Sequence, residues 1–148
     1  VKEIMSREVE SVGLDTTLVK VAEMMKTHDI GMLPVRNGDA LVGLITDRDI
    51  TLRATANGLP PEKTRSRDIM TTQVIHCFED EDIEQAGKMM QENKIRRLPV
   101  INRERRLVGV ISMGDIALAT DKSNLVYAAV QNISTPDAPK PLPGQKRE

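Results

Sequence analysis

Aromatic residues are almost absent from this chain of 148 residues, which contains one Phe, one Tyr and no Trp. Proteins that bind single-stranded nucleic acid stack the bases on aromatic side chains. The formal net charge of −1 provides no general attraction to a phosphate backbone either. These absences argue against a nucleic-acid-binding protein, and they imply that any planar ligand lies between aliphatic side chains and backbone.

Cysteine and long hydrophobic runs are also scarce. Cys77 is the single cysteine, so no disulfide can form within the chain. Together with eight methionines, a lone thiol is typical of a reducing cytoplasm. No apolar run approaches the roughly 20 residues that a membrane-spanning helix needs. With 39% apolar and 29% charged residues, the composition favours a soluble cytoplasmic protein that does not interact with membranes.

The strongest positive feature is an internal repeat. Leu33-Pro34-Val35 matches Leu98-Pro99-Val100 at an offset of 65 residues. Asp49 matches Asp115 at an offset of 66, because one residue is added near Arg105. Each half reads as strand, helix, strand, strand, helix. We therefore predict an α+β fold of two tandem β-α-β-β-α units with pseudo-twofold symmetry, which share one core and form two equivalent clefts where they meet.

The hydrophobic pattern also predicts element and domain bounds. Residues 9–12, 33–36, 41–45 and 74–77 read as strands. The first helix presents Leu18, Val21, Ala22 and Met25 on one face, and the second unit's helix presents Ile83, Ala86, Met89 and Met90. We predict a first unit over 1–56, a linker over 57–67, a second unit over 68–126 and a C-terminal tail over 127–148. The proline-rich, charged tail reads as mobile, or alternatively as an arm that packs on a partner subunit.

A hydroxyl residue and an aspartate three positions apart follow the last strand of each unit, in "GLITDRDI" (43–50) and "GVISMGDI" (109–116). Thr46-x-x-Asp49 and Ser112-x-x-Asp115 both fit the pattern of a helix capping box. The same arrangement suits a nucleotide. A helix start attracts phosphate, a hydroxyl can donate to it, and a carboxylate can accept hydrogen bonds from ribose hydroxyls. The sequence leaves both interpretations open.

These two motifs, together with "IGMLPV", "IRRLPV" and the 65-residue period, resemble a pair of CBS domains, the regulatory units named after cystathionine beta-synthase. The segment "TDRDI" is similar to that of stand-alone bacterial CBS pairs without a catalytic domain. The resemblance covers residues 1–126. It implies a homodimeric disc that binds adenine nucleotides or related adenosyl ligands in the clefts between units.

The resemblance also assigns contacts in two clefts. In the first, called here the Ser112 cleft, Ser112 and Asp115 would hold phosphate and ribose, Arg96 and Arg97 would lie beside the phosphates, and Ser6, Ser11 and Ile30 would frame the base. In the Thr46 cleft, Thr46 and Asp49 take the first of these roles, Gly31 and Met32 replace the arginines, and Thr71, His76 and Ile95 replace Ser6, Ser11 and Ile30. Because Gly31 and Met32 bring no cation, we expect the Ser112 cleft to bind phosphate more tightly.

Neither metal nor catalytic chemistry is predicted. The neighbours His76 and Cys77 have no repeated ligand spacing around them, so we expect strand residues there. No nucleophile–base pair is evident. The predicted function is therefore a regulatory, non-enzymatic protein without an intrinsic cofactor, which binds AMP, ADP, ATP or another adenosyl ligand and signals its state to an unknown protein partner. The alternative is a dimerisation or interaction module with no physiological small ligand.

Overall fold

Two three-stranded sheets, one from each half of the chain, form the scaffold of the protein. The computed structural model describes residues 1–119, and the predicted tail over 127–148 lies outside the described residues. The first half contains β1 (Val12–Gly13), α1 (Leu18–His28), β2 (Met32–Asn37), β3 (Ala40–Thr46) and α2 (Asp47–Asp49), which continues as a π-helical turn over Ile50–Ala54 and a 3-10 turn over Thr55–Asn57. The second half contains α3 (Ser66–Ile69), β4 (Cys77–Phe78), α4 (Ile83–Glu92), β5 (Arg97–Ile101), β6 (Leu107–Ser112) and α5 (Met113–Ala119).

The two sheets have the same topology, which confirms the predicted α+β repeat. β1 pairs in parallel with β2, and β2 pairs antiparallel with β3. β4, β5 and β6 repeat this arrangement. A hairpin with Gly38 at a φ of 60° joins β2 to β3, as the turn residues between those strands favour.

The short outer strands start later than predicted. β1 begins at Val12 instead of residue 9, and β4 begins at Cys77 instead of residue 74. Only two residues of each strand are in register with the neighbouring strand, at Val12–Gly13 and Cys77–Phe78. Val9 and Val74, which the hydrophobic pattern assigned to strands, line the clefts described below.

Helix α1 packs on the first sheet through an apolar face. The side-chain oxygen of Thr17 accepts a hydrogen bond from the amide of Lys20 and so caps the helix start. Leu18, Val21 and Met25 are buried as predicted, whereas Ala22 is exposed because it lies at the margin of that face.

Each half has its own hydrophobic core, so the predicted single shared core is wrong. The first core contains Leu18, Leu33 and Ile45 among its buried residues, and the second contains Met90, Leu98 and Ile111. Each sheet packs one apolar face against the helix of its own unit, so the buried side chains form two separate clusters.

The two halves are joined by an exchange of short segments. Met5 from the start of the chain packs in the second core, and Ile69 from α3 packs in the first. Backbone hydrogen bonds extend both contacts. The amides of Ser6 and Val110 each donate to the other's carbonyl oxygen at 2.9 and 3.0 Å, and the amides of Leu44 and Thr71 do the same at 2.9 and 2.8 Å. Each unit's leading segment therefore pairs with the last strand of the other unit. The domain bounds drawn from the sequence remain a prediction.

Two glycines make this exchange possible. A Cβ atom added at Gly43 would lie 2.5 Å from Sδ of Met70, and one added at Gly109 would lie 2.6 Å from Sδ of Met5. At Gly109 it would also lie 2.9 Å from the backbone oxygen of Ser6. The backbone of each last strand can approach the exchanged segment because it carries no side chain there.

No helix among residues 1–119 is long and apolar enough to cross a membrane.

Candidate ligand-binding clefts

Two clefts lie where the halves meet, at the ends of β3 and β6. The Ser112 cleft has a volume of about 280 Å³ and the Thr46 cleft a volume of about 760 Å³. Each cleft is built from equivalent elements. One unit supplies its leading segment and the residues between its helix and its middle strand, and the other unit supplies the helix start that follows its last strand. The predicted pair of clefts is present, and the two differ in size.

The Thr46–Asp49 motif forms a complete capping box. The hydroxyl oxygen of Thr46 accepts from the amide of Asp49 at 3.1 Å, and Oδ2 of Asp49 accepts from the amide of Thr46 at 3.0 Å. The amide of Asp47 donates to the carbonyl oxygen of Gly31 at 3.0 Å. The helix start is thus held against the loop that precedes β2, and most of its amides are already paired. The other carboxylate oxygen of Asp49 lies 3.6 Å from Nε of Arg53.

The Ser112–Asp115 motif repeats the cap in the second unit. The amide and hydroxyl of Ser112 donate to Oδ2 of Asp115 at 2.7 and 2.8 Å, and the amide of Asp115 donates to the hydroxyl oxygen of Ser112 at 3.1 Å. The amide of Met113 donates to the carbonyl oxygen of Arg96 at 2.9 Å, the counterpart of the Asp47–Gly31 bond. Both aspartates nevertheless line a cleft, so the capping role and a ligand role are compatible.

The structure brings most of the predicted residues together. Ser6, Ile30, Arg97, Ser112 and Asp115 line the Ser112 cleft. The Thr46 cleft is lined by Gly31, Met32, Thr46, Asp49, Thr71 and Ile95.

Three of the predicted positions differ. Arg96 lines the Thr46 cleft and not the Ser112 cleft, while Arg97 lines both. Ser11 and His76 line neither of the two. His76 lies beside Phe78 with ring centroids 5.6 Å apart, and its Nδ1 is 2.9 Å from the carbonyl oxygen of Val74. The Thr46 cleft therefore receives two arginines from the other unit: Arg97, the first residue of β5, and Arg96, which precedes it.

Sequence reasoning missed several polar residues of the clefts. Glu8, Glu10 and His28 line the Ser112 cleft, and Asp29 and Gln73 line the Thr46 cleft. Each lies within a few residues of a repeat-matched position, in the leading segment or at the end of α1. No motif marks them, and only the packing of the two halves brings them to the clefts.

The two clefts differ in charge. The Ser112 cleft contains the carboxylates of Glu8, Glu10 and Asp115 with one arginine, Arg97, and Nε2 of His28 lies 3.6 Å from Oε2 of Glu10. The Thr46 cleft also contains three carboxylates, those of Asp29, Asp47 and Asp49, but it has both arginines. The balance of charge therefore favours an anionic group in the Thr46 cleft more than in the Ser112 cleft.

Residues 1–119 contain no group of three His, Cys, Asp or Glu side chains that could hold a metal ion. Cys77 is fully buried in the second core. Burial, with a smaller contribution from the charge of Glu81, raises the pKa of its thiol to about 12. The thiol is therefore protonated at neutral pH and acts as a small apolar side chain.

Two capped helix starts that face clefts between duplicated α+β units define a paired-domain architecture. The family model for the CBS domain matches residues 1–54 and 67–121. The chain belongs to the CBS-domain family, as the sequence motifs indicated.

Relatives of similar length support this assignment. CBS domain-containing protein YhcV of Bacillus subtilis (strain 168) is 34% identical over 134 residues, which cover 90% of this chain and 94% of YhcV. Hypoxic response protein 1 of Mycobacterium tuberculosis is 37% identical over 117 residues, covering 78% of this chain and 81% of that protein.

Solved structures share the fold. The crystal structure of hypoxic response protein I with two coordinated zinc ions matches with a TM-score of 0.73 and 35% identity, over 80% of this chain and 97% of that one. The CBS domain pair of protein MJ0100, in complex with 5′-methylthioadenosine and S-adenosyl-L-methionine, matches with a TM-score of 0.68 and 30% identity, over 80% of this chain and 93% of that one.

Proposed function

We propose that this protein is a non-enzymatic sensor that binds an adenine nucleotide or another adenosyl ligand between its two units and signals the bound state to a protein partner. One observation carries the proposal: each cleft contains a hydroxyl-x-x-Asp helix start from one unit and side chains from the other. The adenosyl ligands of the MJ0100 domain pair support the same class of ligand. The composition favours the cytoplasm as the site of action.

The side chains suggest a role for each part of the ligand. Asp49 and Asp115 accept hydrogen bonds from ribose hydroxyls, since a carboxylate can accept from several donors at once. The hydroxyl of Thr46 can donate to a phosphate oxygen while it accepts from the amide of Asp49, whereas the hydroxyl of Ser112 donates to Asp115 and has to turn away from it to reach a phosphate. The half-buried side chains of Ile30 and Ile95 cover the faces of the base, because no Phe, Tyr or Trp side chain lines either cleft.

We assign the tighter phosphate site to the Thr46 cleft, the reverse of the expectation from sequence. Arg96 and Arg97 both line it, and neither guanidinium forms an ion pair within residues 1–119. A hydrogen bond to a charged group contributes about 1.5–3 kcal/mol, so a second arginine raises the affinity for phosphate roughly ten-fold or more.

Thermal-shift measurements with AMP, ADP, ATP, adenosine and S-adenosylmethionine test the proposal. A ligand at 100 times its Kd stabilises the folded state by about 2.7 kcal/mol. Asp49→Asn and Asp115→Asn each keep an oxygen that can cap the helix but remove the charge that faces the cleft. We expect each substitution to abolish binding in its own cleft, while Glu62→Gln, an exposed position in the linker, leaves it unchanged. No shift with any ligand at millimolar concentration contradicts the sensor function.

A dimerisation role is the second candidate, and it has support of its own. Leu52 is 49% exposed and Leu118 is 91% exposed. They occupy equivalent positions, 66 residues apart, on the helices that follow β3 and β6. Exposed apolar side chains repeated in this way favour an interface between copies of the chain. We propose a homodimer that uses these helices.

Mass measurement by light scattering separates the two candidates. A dimer that Leu52→Glu and Leu118→Glu disrupt, with unchanged mass and stability on addition of any adenosyl ligand, favours a pure interaction module. A monomeric mass for the wild-type protein at micromolar concentration contradicts the homodimer.

A further inference from the structure

One arginine lies between the two clefts. Three residues line both of them: Ile30, Met32 and Arg97. Met32 and Arg97 are repeat equivalents, 65 residues apart, and they are the first residues of β2 and β5. The boundary between the clefts therefore has a thioether at one of two equivalent positions and a guanidinium at the other.

The strand geometry directs Arg97 to this boundary. Arg97 is in register with Ser112 on β6, and Met32 is in register with Thr46 on β3. Leu98, the next residue of β5, is fully buried in the second core. Since successive side chains of a strand point to opposite faces, Arg97 lies on the cleft side together with Pro99, which lines the Thr46 cleft.

The guanidinium is available to a ligand. Arg97 is exposed, and it forms no ion pair within residues 1–119, whereas Arg53, Arg67 and Arg103 each pair with an aspartate. A guanidinium binds phosphate in a fixed, bidentate geometry. It brings a single positive charge, which one phosphate group at neutral pH already balances or exceeds.

We propose that Arg97 makes the two clefts compete for phosphate, so that an adenine nucleotide bound in one cleft weakens the binding of a second nucleotide in the other. The inference rests on the proposed adenosyl-ligand function and adds the coupling between its two sites. When one phosphate binds the guanidinium, the second meets the carboxylates of its own cleft and the repulsion of the first phosphate. Arg96 is then the remaining arginine of the Thr46 cleft, and the Ser112 cleft has no further arginine. A ligand without phosphate does not need Arg97 and binds the two clefts independently.

Calorimetry with AMP measures this coupling. Asp49→Asn leaves the Ser112 cleft as the single site, and Asp115→Asn leaves the Thr46 cleft. The product of the two single-cleft association constants is then compared with the product of the stepwise constants of the wild-type protein. We expect the wild-type product to be lower by about five-fold or more, the lower end of typical coupling between sites.

The matched variant is Arg97→Met, which places at this position the residue that its equivalent, Met32, already has. In that background, with the same two aspartate substitutions, the products should agree within about two-fold. Arg96→Met is the control, because Arg96 lines the Thr46 cleft alone. It should lower affinity in that cleft and leave the coupling in place. Titration of the wild-type protein with 5′-methylthioadenosine, which has no phosphate, should show no coupling.

Each other outcome has a defined meaning. Equal products in the wild-type protein, coupling that survives Arg97→Met, or coupling of equal size with 5′-methylthioadenosine overturns the role of Arg97 but leaves the sensor function intact. If one cleft does not bind AMP in its single-cleft variant, the competition through Arg97 is likewise overturned and the sensor function is left intact. Absence of AMP, adenosine and S-adenosylmethionine binding in both clefts instead contradicts the proposed function itself.

Discussion

The two units differ most where they face each other and least where they face their own cores. Leu33 and Leu98 are both fully buried, as are Ile45 and Ile111 at the end of the third strand of each unit. At the cleft, by contrast, Gly31 corresponds to Arg96, Met32 to Arg97 and Asp47 to Met113.

This contrast separates the requirements of the fold from those of the site. A buried position must fill a fixed volume in both units, because removing core methyl groups leaves a cavity and destabilises the protein. A cleft position has no such requirement. The repeat has therefore kept one scaffold and produced two clefts of unequal size and charge, which predicts unequal ligand binding.

A second contrast lies in the exchanged segments. Met5 is 7% exposed in the second core, whereas its equivalent Met70 is only half-buried against the first. The three residues before Met5 form a turn, and the four residues before Met70 form helix α3. The second unit therefore depends on its borrowed methionine more than the first unit does.

Substitution of these methionines by alanine tests that dependence and should give the largest effect. We expect Met5→Ala to lower the free energy of unfolding by about 2–5 kcal/mol, the range for large-to-small changes in a core. Met70→Ala should lower it less, since less of that side chain is removed from water. Equilibrium denaturation with urea measures both values.

Hydrogen exchange shows where the loss occurs. In Met5→Ala, amides of β6 and α4 in the second unit should lose more protection than those of β3 and α1. Equal losses in both units, or a larger effect of Met70→Ala, contradict the assignment of Met5 to the second core.

The paired glycines sharpen the same comparison. Gly109→Ala should destabilise the protein by about 1–3 kcal/mol, as overpacking does, because the new methyl group meets Met5 and the backbone oxygen of Ser6. Gly43→Ala should cost less, since the nearest backbone oxygen, that of Thr71, would be 3.2 Å away and the Met70 side chain can move. Thermal unfolding of both variants measures the difference.

Gly114→Ala is the matched control for these substitutions. The added Cβ atom would find its nearest neighbour, the hydroxyl oxygen of Ser112, at 3.5 Å, which is ordinary contact. Its stability should equal or slightly exceed that of the wild-type protein. An unchanged stability in Gly109→Ala contradicts the close approach of the exchanged segment.

The sequence predicts the repeat, its strand order and the motif residues of the clefts, because each depends on local pattern or on spacing along the chain. It does not predict the division into two cores or the place of Arg96. Both depend on how the two units dock, and a residue at the end of one unit's strand can face either cleft. The capping box at Thr46 and Asp49 lay within reach of sequence, since all its hydrogen bonds are local.

Cys77 and its equivalent Val12 compare a thiol with a valine at matching buried positions. Because the first core accommodates valine there, Cys77→Val should change the free energy of unfolding at pH 7 by less than about 1.5 kcal/mol. The folded-state pKa of about 12 exceeds the ordinary thiol value of 9.0, so the thiol's contribution is complete below pH 9 and is lost as pH rises towards 12. The variant should consequently lose less stability than the wild-type protein between pH 7 and pH 10.

Denaturation at the two pH values measures this difference, and thiol labelling provides an independent test. The folded wild-type protein at pH 8 should react with a thiol reagent far more slowly than the protein in denaturant. Rapid labelling of the folded state would place Cys77 outside the core and contradict its equivalence to the buried Val12.

The smallest effect is expected at the exposed ion pairs beside the short outer strands. In the first unit, Asp15 accepts from Nε and Nη2 of Arg67 at 3.0 and 2.7 Å; in the second, Asp80 accepts from Nε and Nη2 of Arg103 at 2.8 Å each. The hydrogen bonds from Arg103 hold the pKa of Asp80 below its usual value of 3.8. The pair's stabilising contribution is therefore present above pH 3.8 and lost as pH falls through the lower, folded-state pKa.

Replacing Arg103 isolates that contribution. Arg103→Ala should raise the pKa of Asp80 towards 3.8, and NMR titration of its carboxyl carbon measures the change. Arg103→Lys should give an intermediate value, because a lysine keeps the charge but not the two parallel hydrogen bonds. Stability at pH 7 should hardly change, since water and salt screen an exposed pair. An Asp80 pKa that stays low in Arg103→Ala would show that backbone amides at the start of the second unit's helix, and not the guanidinium, stabilise the carboxylate.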